Sequence, residues 1–242
     1  MISTYDLVVA LLSVGFGLGT VGVCLYQKCF LRYYLLNLYV LISAFHTVGA
    51  LYVIRTYGFT SEVYFWFYYG WDAIAICIAY VLIGSFFDQM LRHSIFRQYV
   101  RPTLGIFFFL LLGVSWLYIS RSSDHLYSRF IFEFEQNMFF VGVLLTFLLW
   151  ISMIYLGAET RRLALLVSGI GIYFAAHAAN YAAGFLFPGL EAIAGRIPPL
   201  AYNLMVLVWL YTFLFVPEGE AAAVPVPRRK LATANARLPK LE

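Results

Sequence analysis

Residues Tyr5–Gln27 read YDLVVALLSVGFGLGTVGVCLYQ, an apolar run that contains no lysine or arginine. A transmembrane α-helix needs about 20 consecutive, mostly apolar residues, so this run is long enough to cross a bilayer. Within lipid the backbone must satisfy its own hydrogen bonds, and a single segment achieves this only as a helix. The run therefore predicts a transmembrane helix.

Six further runs of the same kind follow along the chain. They lie at Tyr34–Ile54, Val63–Phe87, Thr103–Ser120, Met138–Leu156, Ala164–Phe187 and Leu200–Val216. The chain of 242 residues is 63% hydrophobic and 12% charged, whereas charged residues make up about 25% of a typical soluble domain. We predict an all-α, polytopic membrane protein in which residues 1–216 form a bundle of seven transmembrane helices. Residues 217–242, rich in Ala, Pro and basic residues, are predicted to form a disordered tail.

The lysine and arginine residues predict the orientation of this bundle. Twelve of the sixteen fall on the side that includes the tail, and the other side holds only Arg55, Arg121, Arg129 and Arg196. The positive-inside rule then places the N-terminus outside and the tail in the cytoplasm, with the protein in the plasma (inner) membrane. Contact with lipid headgroups explains the basic residues, so we predict no nucleic-acid partner.

Glycine and proline positions predict helix packing and helix ends. Gly17–Gly22 matches the dinucleotide fingerprint GxGxxG, but that fingerprint requires a preceding strand and here lies in mid-membrane. We instead expect Gly15 and Gly19, four residues apart, to allow close helix packing. Pro102 is predicted to open the fourth helix, and Pro198 and Pro199 precede the seventh.

Polar side chains within the apolar runs are candidate functional residues, because polar groups are expensive inside a bilayer. At about 1.5 Å of rise per residue, His46, Asp72 and His177 lie at about the same depth. Asn180, Tyr202 and Asn203 lie about one turn or more nearer the outside. We predict that they converge on one pocket in the outer half of the bundle. The predicted pocket residues are His46, Trp71, Asp72, His177, Asn180, Tyr202 and Asn203.

Several chemistries fit these residues. His46 and His177 could ligate the iron of a b-type haem from opposite helices, and with Asp72 they could form a three-ligand metal site. Histidine also titrates near neutral pH, which suits a proton relay. Asp72, beside Trp71 and the aromatic run Tyr64–Tyr69, could hold a ligand cation through charge and cation–π attraction. Both histidines could equally have a structural role, bonded to neighbouring helices.

The sequence favours a protein without catalytic activity. It contains no HExxH, no GxSxG and no phosphate-binding loop, and no lysine in a span for a retinal Schiff base. A His, Asp and Asn set near the outer leaflet leaves metal-assisted lipid hydrolysis open. Glu133 and Glu135 are predicted to lie on a solvated rim before the fifth helix. Cys24, Cys29 and Cys77 form no metal-binding pattern.

We therefore predict a receptor- or sensor-like protein that binds a small ligand or a proton in the outer-half pocket. It contains no output domain, so it would act through a cytoplasmic signalling partner or as a subunit of a larger membrane complex. Two alternatives are a haem-binding membrane subunit with His46 and His177 as axial ligands, and a small transporter. The transporter would consist of two parallel three-helix repeats joined by the fourth helix (a 3+1+3 arrangement).

Overall fold

The computed structural model describes residues 3–92, 94, 96–119, 126–156, 160–187, 189 and 195–218. Nearly all of the predicted tail, residues 219–242, lies outside the described residues. No strand occurs in the part of the chain that the structure describes.

Seven helices account for nearly all of the described residues, and each is long and apolar enough to cross a membrane. The prediction of an all-helical protein with seven such segments is confirmed. The helices are α1 Thr4–Tyr26, α2 Tyr34–Tyr57, α3 Glu62–Met90, α4 Arg97–Ile119, α5 Leu126–Leu156, α6 Arg161–Leu186 and α7 Ile197–Phe215.

Local signals explain several helix starts. Ser3 and Asp6 form a capping box at the start of α1, which satisfies N–H groups that have no partner within the helix. The hydroxyl of Ser61 accepts a hydrogen bond from the Tyr64 N–H, 3.1 Å away, at the start of α3. Thr160 caps α6 in the same way. Pro198 and Pro199 occupy the first turn of α7, as predicted.

Helices α4 and α5 begin well before their predicted starts. Helix α5 starts at Leu126 instead of Met138, so Glu133 and Glu135 lie within the helix. Helix α4 starts at Arg97, and Pro102 therefore lies inside it instead of opening it. Both errors have the same cause: charged residues in the first turns lower the hydropathy, although the backbone is already helical.

Six of the helices form a closed ring. Helix α1 packs on α2 and α7, α2 on α3, α3 on α5, α5 on α6, and α6 on α7. Helix α4 stands outside the ring against α3 and α5, while α3 also touches α6 across the ring. We call the end of the bundle where α1 begins the N-terminal face, and the opposite end, where α7 ends, the C-terminal face.

The close approach of α1 to α2 occurs at Gly17. A Cβ atom on Gly17 would lie 3.1 Å from Val40 Cγ1, whereas a Cβ atom on Gly15 would meet nothing within 4 Å. Gly19 would make only ordinary contact with Leu210 of α7, at 3.7 Å. The predicted role of Gly15 was wrong, because two residues of helix turn it about 200° away from the face that carries Gly17.

Candidate functional site: a polar cavity within the helix ring

A polar cavity of about 370 Å³ lies among α1, α2, α3, α6 and α7, next to the N-terminal face. We call it the central cavity. Tyr5, Asp6 and Arg196 line it near that face. Its volume is within the range of about 300–1,000 Å³ that is typical of small-ligand sites. Four of the predicted pocket residues line it: His46, Asp72, His177 and Tyr202.

Helical spacing brings further side chains to the same cavity. Tyr39, Ser43 and His46 are spaced i, i+4 and i+7 on α2, and all three line the cavity. Tyr68 precedes Asp72 by four residues on α3, and Tyr173 precedes His177 by four on α6; both tyrosines also line it. Residues at these spacings share a helix face. Sequence reasoning missed them because it considered each polar residue alone. Counting back along the helix, one or two turns from each histidine and from Asp72, would have identified these residues.

His46 and Asp72 face each other without a hydrogen bond. His46 Nδ1 lies 3.8 Å from Asp72 Oδ1, which is beyond ordinary hydrogen-bond distance. The other ring nitrogen, Nε2, is buried and has no hydrogen-bond partner. The side chain of Tyr68 lies beside Asp72. The pair therefore offers a cavity occupant both an acidic group and an unsatisfied imidazole nitrogen.

Aromatic packing holds His177. Its ring stacks on Phe139 at a centroid distance of 4.0 Å and an interplanar angle of 14°. Tyr173 lies against it at 4.5 Å. These contacts from α5 and α6 fix the plane of the imidazole at the wall of the cavity. Phe139 itself is fully buried, at 1% exposure.

Three tyrosines from three helices meet in the cavity wall. The ring of Tyr173 lies 6.3 Å from that of Tyr39 and 6.1 Å from that of Tyr202. The Tyr202 hydroxyl is buried without a hydrogen-bond partner. Buried polar groups are rarely left unpaired, and each such group calls for an explanation. An occupant of the cavity that accepts or donates a hydrogen bond would satisfy this hydroxyl.

Three other predicted residues do not line the central cavity. Trp71 packs against Phe45 at a centroid distance of 5.0 Å. The side-chain amide of Asn203 donates to the carbonyl oxygens of Val9, at 3.3 Å, and Pro199, at 3.0 Å, and so ties α7 to α1. Asn180 lines a different cavity.

That second cavity, of about 750 Å³, lies among α4, α5 and α6, also toward the N-terminal face. Glu133, Gln136, Asn137 and Asn180 supply its polar groups. Asn137 Nδ2 donates to Ser115 Oγ at 3.1 Å, while Asn180 Oδ1 is buried without a partner. Glu133 thus lies within α5, toward the N-terminal face, on this second cavity.

Glu135 is the acidic residue whose position sequence reasoning missed. It is only 9% exposed, and Tyr181 and Asp72 are among its neighbours. The signal was present in the sequence, because the buried residues of this part of α5 follow a helical period of i, i+3, i+4, i+7 and i+8. They are Ile131, Phe134, Glu135, Met138 and Phe139.

The predicted three-ligand metal site is not formed. Among the described residues, which include His46, Asp72 and His177, no three His, Cys, Asp or Glu side chains are grouped closely enough to hold a metal ion. The three cysteines within the described ranges are free thiols.

The chain has no detectable similarity to known proteins in three comparisons. No family model matches it, and no curated protein and no solved structure matches it either. A function must therefore be argued from the site itself.

Proposed function

We propose that this protein is a receptor- or sensor-like membrane protein that binds a small organic cation, or a proton, in the central cavity. The observation that carries the proposal is the lining of that cavity. Asp72 and His46 face it together with Tyr39, Tyr68 and Tyr173. A carboxylate surrounded by aromatic rings attracts cations by charge and by cation–π interaction.

The charge balance of the described residues supports a cationic ligand. Asp6 and Asp72 line the central cavity, and Glu135 adds a further acidic group behind its wall. The one basic lining residue among those described is Arg196, at the N-terminal face, where its guanidinium lies 5.4 Å from the centre of the Tyr5 ring. The deeper part of the cavity thus holds the Asp72 carboxylate, which a ligand cation could neutralise.

The distribution of basic residues supports an orientation with the N-terminal face outside. The C-terminal face holds the Lys and Arg residues of the α1–α2 and α3–α4 connections and of the start of α6. By the positive-inside rule this face is turned toward the cytoplasm, and the protein lies in the plasma (inner) membrane. The central cavity then opens to the outside. Response to the ligand would pass through the C-terminal face and the tail to a cytoplasmic partner or to other subunits of a membrane complex.

The proposal predicts that Asp72→Asn abolishes stabilisation by organic cations. A ligand that binds only the folded state at 100 times its dissociation constant stabilises that state by about 2.7 kcal/mol. Thermal unfolding of the purified full chain in detergent is measured with 2-phenylethylamine, with choline and with neutral 2-phenylethanol. We expect the two cations, and not the alcohol, to raise the midpoint for the wild type.

Glu62→Gln is the matched control, because Glu62 is an exposed acid in the first turn of the same helix and does not line the cavity. It should respond to the cations as the wild type does. If the cations raise the thermal midpoint of Asp72→Asn as much as that of Glu62→Gln, a role for Asp72 is contradicted. If neither cation raises the midpoint of the wild type, the choice of ligand is contradicted.

A haem-binding subunit is the second candidate, because His46 of α2 and His177 of α6 both line the central cavity. Bis-histidine ligation would require both imidazoles to turn toward one iron. The protein purified from cells with a full haem supply should then show a Soret absorption band that His46→Ala and His177→Ala each remove. The absence of the band in the wild type would rule out this candidate.

The 3+1+3 transporter remains a prediction. The order of the helices around the ring supports it. Helices α1–α3 and α5–α7 follow one another in the same order around the ring, with α4 outside it. Two parallel repeats would give this arrangement. Uptake of 2-phenylethylamine into proteoliposomes would distinguish transport from binding alone.

A further inference from the structure

An apolar groove of about 460 Å³ runs between α3 and α4 near the C-terminal face and shares no lining residue with the central cavity. It exists because α4 stands outside the helix ring and packs on α3 over only part of its length. The groove holds one ion pair, Asp88 with Arg101. Its other walls are mainly apolar and include Tyr80 of α3 and Leu104, Gly105 and Phe108 of α4.

The carboxylate of Asp88 is only half satisfied. Its Oδ2 atom accepts two hydrogen bonds from Arg101, from Nε at 2.9 Å and from Nη2 at 2.7 Å. Its Oδ1 atom is buried and has no donor. An unpaired carboxylate oxygen carries the full cost of desolvation, which is larger for a charged group than for a neutral one. A donor from outside the chain, preferably a cation, would remove that cost.

The surroundings of Asp88 also attract phosphate. Arg92, Arg97 and Arg101 are all exposed at this end of α3 and α4, and the Arg101 side chain is 78% exposed although it pairs with Asp88. Arginine matches the geometry of phosphate oxygens and remains charged at all physiological pH values. One unsatisfied acidic atom and several exposed guanidinium groups thus lie at the mouth of an apolar groove.

We propose that this groove is a binding site for a phospholipid whose headgroup carries a primary amine and no carboxylate, that is, a phosphatidylethanolamine. One acyl chain lies in the groove, the ammonium group donates to Asp88 Oδ1, and the phosphate contacts Arg101. A choline headgroup has no N–H to donate, and a glycerol headgroup offers only a neutral hydroxyl. The chemistry of Asp88 therefore selects the amine.

Lipid retention measures this selection. The full chain is exchanged in detergent into an equal mixture of phosphatidylethanolamine, phosphatidylcholine and phosphatidylglycerol with identical acyl chains, and bound lipid is counted by native mass spectrometry. A charge-assisted hydrogen bond corresponds to a preference of about tenfold for phosphatidylethanolamine. Asp88→Asn keeps the shape but removes the charge, so it should bring the three lipids to nearly equal retention. Equal retention of the three by the wild type would overturn the headgroup assignment.

A pair of glycine variants tests the groove itself. A Cβ atom on Gly105, which lines the groove, or on Gly113, which lies further along α4 and does not, would meet nothing within 4 Å. Both positions therefore have room for a side chain, but only a phenylalanine at position 105 would fill the groove. We expect Gly105→Phe to lose bound phosphatidylethanolamine and Gly113→Phe to keep it.

The comparison is valid only if both variants elute as single species and unfold at similar thermal midpoints. Equal retention by Gly105→Phe and Gly113→Phe would overturn the groove as the site. If Gly105→Phe does not fold, the comparison of Asp88→Asn with the wild type decides the proposal alone.

Discussion

Arg162→Ala is expected to lower the free energy of unfolding by about 3 kcal/mol, because it removes a buried charged donor and leaves its acceptors unpaired. Arg162 is 5% exposed at the start of α6. Its Nε and Nη2 atoms donate to the carbonyl oxygen of Val216, at 3.1 Å and 2.7 Å. Val216 is the C-cap residue that follows α7. At this end of a helix the carbonyl groups lack partners within the helix, and a positive charge is favourable.

The same arginine joins three helices at the C-terminal face. Gln27, at the end of α1, donates from Nε2 to the carbonyl oxygen of Phe213 at 2.5 Å, and Arg162 lies 3.5 Å from the Gln27 side-chain oxygen. Its guanidinium also lies 5.4 Å from the centre of the Phe213 ring. Burial raises the pKa of the neighbouring Tyr33 hydroxyl, so this group stays neutral and supplies no countercharge. The carbonyl oxygens of α7 supply the negative partial charge that faces Arg162 instead.

Thermal unfolding in detergent measures the effect. Arg161→Ala is the control, since Arg161 is the adjacent, exposed arginine, and an exposed charge contributes about 0–1 kcal/mol. Arg162→Lys should be intermediate, because lysine keeps the charge but cannot donate from two atoms in a fixed fork. A midpoint for Arg162→Ala within error of that for Arg161→Ala would show that the buried contacts do not stabilise the fold.

Gly169→Ala is expected to destabilise the protein by about 2 kcal/mol through overpacking between α6 and α7. A Cβ atom at this position would lie 2.8 Å from Trp209 Nε1 and 3.3 Å from the carbonyl oxygen of Met205. Trp209 is fully buried, and its Nε1 donates to the Leu166 carbonyl oxygen at 2.9 Å. The new methyl group must therefore displace either this hydrogen bond or the backbone of α7.

Gly184→Ala on the same helix provides the comparison. A Cβ atom there would meet nothing within 4 Å, and replacing a helical glycine with alanine in open space stabilises a helix by about 0.5–1 kcal/mol. We expect opposite shifts of the thermal midpoint for the two variants. Shifts of the same sign and size would mean that glycine at position 169 is not required for the approach of α6 to α7.

The number of helices could be predicted from sequence because the hydropathy signal is strong and local. The start of α5 could not be predicted from hydropathy alone, since Arg129, Glu133 and Glu135 hide the beginning of the helix. That error also hid the burial of Glu135, which became visible only when the helix was extended back to Leu126. Helical period, and not mean hydropathy, carries this information.

The candidate site could be predicted in part. Equal depth correctly brought His46, Asp72 and His177 to one cavity, because depth depends only on position along each helix. Depth does not specify which way a side chain faces, and Asn180 and Trp71 therefore lie elsewhere. The order of helices around the ring decides which faces meet, and that order depends on contacts between distant parts of the chain.

The closure of the ring by α1 and α7 has a consequence for how the protein is made. The central cavity is lined by Tyr5 of α1 and by Tyr202 of α7, so it is complete only once both helices are in place. No incomplete chain can hold an occupant there in the same way. A molecule that binds the cavity would therefore favour newly synthesised chains whose insertion is complete, and it would raise the yield of mature protein in the cell.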